Sequence, residues 1–81
     1  MRVIAEIPHP QCKIAIFYMN GKYMVQFTAG NYEQTFKISE LDYIIKDVED
    51  IKKIVSDEFV NQVMQRFGTM HAQLGTALID F

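Results

Sequence analysis

Through the first half of the chain the apolar residues recur at every second position, and from Val60 onward they recur at intervals of three and four. The first spacing is that of a strand with one buried face and the second that of an amphipathic helix. Three breaks divide the alternating half: Pro8-His9-Pro10-Gln11, Asn20-Gly21 and Gly30-Asn31. An Asn-Gly pair between apolar runs is a strong local signal for a type I′ turn, because both central residues need positive φ. A two-residue loop at Asn20-Gly21 places Tyr18 opposite Tyr23, Phe17 opposite Met24, Ile16 opposite Val25 and Ile14 opposite Phe27. A second at Gly30-Asn31 places Ala29 opposite Tyr32, Val25 opposite Phe36 and Tyr23 opposite Ile38. A four-residue loop at Pro8–Gln11 pairs Ile7 with Cys12, Ala5 with Ile14 and Val3 with Ile16.

These registers agree on one apolar face, formed by Val3, Ala5, Ile7, Ile14, Ile16, Tyr18, Tyr23, Val25, Phe27, Tyr32, Phe36 and Ile38. A slip of one residue in any strand would turn that strand inside out. The expectation is a four-stranded antiparallel β-meander over residues 2–38. The opposite face then carries Ile4, Ala15, Phe17, Met19 and Met24 among Arg2, Glu6, Lys13, Lys22, Gln26, Thr28, Glu33, Thr35 and Lys37. Neighbouring apolar side chains on such a face often mark an interface, although scattered ones are normal on a soluble protein.

The second half reads as helix. Asp47 is a cap for a short helix through Asp50, Ile51, Ile54 and Val55. Ser56 followed by Asp57 and Glu58 is a cap with acidic residues in the first turn, where the helix dipole favours them. The apolar stripe Val60, Val63, Phe67, Met70, Leu74, Ala77 and Phe81, widened by Met64 and Leu78, is the natural cover for the sheet. The fold class is therefore α+β: the meander, a short helix and a long C-terminal helix packed on one sheet face. About 24 helical residues span roughly 36 Å against roughly 24 Å for seven-residue strands, so the helix should overhang. Gly68, Ala72 and Gly75 line one flank of it, where they would let another backbone approach. Gly75 also offers a place for the helix to break and fold Phe81 back onto the sheet.

The 81 residues fit a single domain, and 49% hydrophobic with 22% charged residues is the composition of a folded protein. The charge is divided, with net +2 over residues 1–38 and net −4 over residues 39–81, a mild asymmetry of the kind ordinary solvated surface carries. Cys12 is the one cysteine, which excludes an internal disulfide and fits a cytoplasmic setting. No apolar run approaches a membrane span, and the first residues lack the apolar stretch of a signal peptide.

Chemistry is sparse. His9 and Cys12 have a His-x-x-Cys spacing that can begin a metal site, but zinc requires four ligands, or three and water. The same two residues could form a thiol and base pair, with nothing nearby to lower the thiol pKa. The acidic residues from Glu40 to Glu58 lack the glycine and ligand spacing of a calcium loop, and no phosphate-binding loop or nucleophile elbow is present. No catalytic residue, metal ligand set or cofactor is expected.

The order "EIPHPQCKIAIF", "NGKY" and "EQTFKISELD" resembles a family of small bacterial proteins of unknown function. The resemblance covers most of the chain and implies a stand-alone small bacterial protein, with no activity, cofactor or site residue carried over. The functional expectation is a cytoplasmic protein-interaction module acting as a homodimer. Its candidate surface comprises Ile4, Phe17, Met19 and Met24 on the outer sheet face, and Gly68, Ala72, Gly75, Leu78 and Phe81 on the long helix. The alternative is single-stranded nucleic-acid binding, with Phe17 as a stacking platform among Arg2, Lys13, Lys22 and Lys37. A pI near 5.5 and the lone outer aromatic make nucleic acid the weaker partner.

Overall fold

A computed structural model describes residues 2–81. Four strands, β1 (Arg2–Ile7), β2 (Lys13–Met19), β3 (Lys22–Ala29) and β4 (Tyr32–Ser39), form one antiparallel sheet in the order β1-β2-β3-β4. Two helices follow, α1 (Val48–Ile54) and α2 (Asp57–Ile79). The fold is the α+β meander expected from the apolar pattern, with α1 against β1 and α2 against β4.

Local chemistry accounts for the turns and caps. Asn20 and Gly21 both take positive φ, 54° and 75°, the type I′ geometry, and the β2–β3 ladder runs from Met19 opposite Lys22 to Lys13 opposite Thr28. At the next turn Gly30 has φ 60° while Asn31 stays negative, as in a II′ turn, and Ala29 faces Tyr32. Asp47 caps α1 by accepting from the Glu49 amide at 3.0 Å, and Ser56 caps α2 by accepting from Phe59 at 3.3 Å.

The β1–β2 pairing differs from the register read from the sequence. Ile7 faces Ile14 rather than Cys12, and Ala5 faces Ile16 rather than Ile14. The loop chemistry accounts for the shift: Pro8 and Pro10 lack amide donors, the Gln11 amide donates to His9 Nδ1, and the ladder resumes at Ile14. The slip is by two residues, which keeps Ala5 and Ile7 on the core face. A bulge at Ile4 then changes the parity, so that Val3 pairs with Phe17 and Arg2 with Tyr18. Val3 is thereby moved off the core face and is 46% exposed. Arg2, expected on the outer face, falls on that of Tyr18.

The core lies between the sheet and the helices. Phe27, Ile14, Ile16 and Val25 from the sheet, Ile51 from α1 and Val63 from α2 are almost wholly buried, each such side chain contributing about 1.5–3 kcal/mol through removal from water. Phe27 sits with Phe36 and Phe59 in an aromatic triangle, with ring centroids 5.1–6.0 Å apart. Tyr18 is on the core face but at its rim, where its hydroxyl donates to Glu40 at 2.8 Å.

Helix α2 runs antiparallel to β4: Phe59 packs on Phe36, the Val63 carbonyl accepts from Gln34, and His71 meets Tyr32. Gly75 does not break it. The helix continues to Ile79, and every residue after Met70 is exposed. The fold-back of Phe81 therefore does not occur, and the molecule is elongated, 48 × 24 × 21 Å.

Candidate interaction surfaces

Four surfaces stand apart from the core, and each is set by the strand ends or the helix length. The first is the cleft beside the β1–β2 loop, about 510 Å³, lined by Glu6, Ile7, Pro8, His9, Cys12, Lys13 and Ile14. Within it the Gln11 amide donates to His9 Nδ1 at 3.1 Å, and the Cys12 sulfur lies 3.6 Å from the same nitrogen. His9 Nδ1 thus serves as an acceptor that closes the loop after Pro8. Burial pushes the Cys12 thiol above its ordinary pKa, so the thiolate needed for a nucleophile or ligand is disfavoured. His71, on α2, does not join this pair; its Nδ1 lies 3.0 Å from the Tyr32 hydroxyl. Among the described residues no group of three or more His, Cys, Asp and Glu side chains converges.

The second surface is the outer sheet face. Ala15 and Met24 belong to it by register, yet they are 3% and 9% exposed with no helix above them. Their cover comes from neighbours on the same face: Phe17 stands opposite Met24, Lys37 flanks it from β4, and Gln26 stands opposite Ala15. Phe17 is half-buried, while Met19 and Ile4 are exposed, the latter at the bulge. Gln26 also donates to Glu33 at 2.9 Å, and Lys13 lies 4.0 Å from Glu6. The apolar residues of this face thus divide between Met24, already packed, and Ile4 and Met19 at its margins.

The third surface escaped the sequence reading. Between β4 and α1, Leu41, Tyr43 and Ile44 are 92%, 64% and 95% exposed. Together with Lys37, Ile38, Ile45, Asp50 and Ile54 the last two line a cleft of about 430 Å³ at the Ile38 end of β4. Asp50 is satisfied there, accepting the Lys46 amide at 2.9 Å and lying 3.8 Å from Lys53. The available signal was the run "LDYII", apolar without strand or helix period and placed outside both elements.

The fourth is the free half of α2. Leu74, Leu78 and Ile79 are 45%, 56% and 80% exposed, and Phe81 beyond the helix is fully so. Space is open around Gly68 and Gly75, where an added Cβ would meet no atom within 4 Å. No charged side chain occurs between Arg66 and Asp80. This helix, like α1, is not long and apolar enough to cross a membrane.

No family model, no curated protein and no solved structure matches this chain.

Proposed function

We propose that this chain is a small protein-interaction module that acts as a homodimer, with the free half of α2 in its interface. One observation carries the reading: α2 projects past the sheet as an ordered helix whose large apolar side chains, Leu74, Leu78 and Ile79, have no cover within the chain. Surfaces of that kind are covered by partners. The absence of charge from Phe67 to Ile79 lets a second copy be that partner without burying an unpaired charge, and a two-fold pair is the commonest closed assembly. A cytoplasmic setting fits the one free thiol, Cys12.

Sedimentation equilibrium at tens of micromolar tests this. A dimer is expected for the native chain, and Leu78→Glu should give a monomer whose far-ultraviolet circular dichroism is unchanged. A native chain that remains monomeric across that range would overturn the proposal.

A further inference from the structure

Strand β4 is an edge of the sheet, eight residues long, and it pairs with β3 along its whole length without a bulge. Its turn makes Ala29 and Tyr32 a hydrogen-bonded pair. Tyr32, Gln34, Phe36 and Ile38 therefore direct their amides and carbonyls at β3, and those of Glu33, Thr35 and Lys37 point away from it. An uninterrupted row of such groups is a template for another strand. The charges on β4 choose which strand. In an antiparallel pairing of β4 with itself centred on Thr35, Glu33 stands opposite the partner's Lys37, and this occurs twice. Centring on Glu33 or on Lys37 would instead oppose like charges, and centring on Gln34 or Phe36 would set both charges opposite uncharged residues. Among the described residues Lys37 has no ion-pair partner, and Glu33 uses one oxygen for Gln26.

The same register settles where the free helix goes. Tyr32 falls opposite the partner's Ile38. Helix α2 passes Tyr32 at His71, 3.0 Å from its hydroxyl, and extends about 12 Å further to Ile79. It leaves its own sheet beside the partner's Ile38, the β4 wall of the exposed cleft that Tyr43, Ile44 and Ile54 complete. Two surfaces at opposite ends of one chain, neither covered internally, thus meet across a two-fold axis.

We infer that two copies join along β4, antiparallel and centred on Thr35, and that the free half of each α2 lies against the partner's cleft at Ile38, Tyr43 and Ile44. This rests on the homodimer reading and specifies its geometry. The pairing makes one continuous sheet with all helices on one face.

Charge reversal on the full-length chain, read by sedimentation equilibrium, is the test. Glu33→Lys and Lys37→Glu should each weaken the dimer about tenfold, since each places two like-charged pairs in register, and the double reversal should restore it. Ile44→Lys should weaken it comparably. As an arm independent of folding effects, Thr35→Cys in a Cys12→Ser background should cross-link on oxidation, the residue facing its own copy at about 5.5 Å between Cα atoms. A native dimer indifferent to both reversals, with no cross-link, would overturn this geometry while leaving self-association standing. A monomeric native chain would remove both.

Discussion

The side-chain amide of Gln34 donates to the main-chain carbonyl of Val63 at 2.9 Å, tying the edge strand to α2 across 29 residues of sequence. Few polar contacts hold helix to sheet in this chain, and this one and the Tyr32–His71 bond fix how α2 lies along β4. Val63 keeps its helical partner when Gln34 is removed, so no carbonyl is orphaned. Gln34→Ala is expected to cost about 0.5–1.5 kcal/mol. Urea unfolding checks it, with the midpoint lowered and the slope unchanged.

Phe27 is fully buried and touches both other rings of the aromatic triangle. Phe27→Ala should destabilise by about 3–5 kcal/mol, a large share of what so small a domain has. Phe17→Ala, half-buried on the outer face, should cost clearly less. Thermal melts of the pair of variants test the assignment of the two faces.

Alkaline pH should weaken the fold through two tyrosines. Burial raises the Tyr23 hydroxyl above its ordinary value of 10.0, and the Glu40, Asp47 and Asp50 carboxylates add to this. Tyr18 is raised first by its hydrogen bond to Glu40, then by burial and by the charges of Glu40 and Tyr23. A raised folded-state pKa means the folded chain holds its proton more tightly. The contribution is complete below about pH 10 and falls away as pH rises through the folded values. Tyr23→Phe should therefore flatten the decline in melting temperature above pH 10 and leave its neutral-pH pH dependence unaltered.

The raised thiol of Cys12 has a kinetic consequence. Alkylation by iodoacetamide near pH 8 should be slower than for a free cysteine, reaching the free rate after urea unfolding. An equal rate in both states would show that burial does not govern this thiol.

Much of this architecture was legible because turn chemistry and apolar alternation agreed. Asn20-Gly21 and Gly30-Asn31 each set a register that the apolar faces of β2, β3 and β4 require. The β1–β2 register was not legible, since Pro8 and Pro10 stop the ladder without setting a loop length, and a shift of two leaves the apolar pattern intact. The Ile4 bulge was hidden for a related reason: with Val3 and Ile4 both apolar, either could face the core. The projecting helix followed from its length alone. The cleft at Tyr43 and Ile44 did not, because the period arguments see only strands and helices, and these residues lie in neither.

The bulge at Ile4 also limits the assembly proposed for the sheet. A meander has two outer strands, and a chain offering both as straight templates could recruit copies at each side without limit, in the manner of a fibre. Here the first strand is kinked between Val3 and Ala5, which breaks the regular spacing that a further strand would need. Under the proposed pairing, growth through this sheet would proceed from β4 alone, and a unit with one usable side would terminate at a pair.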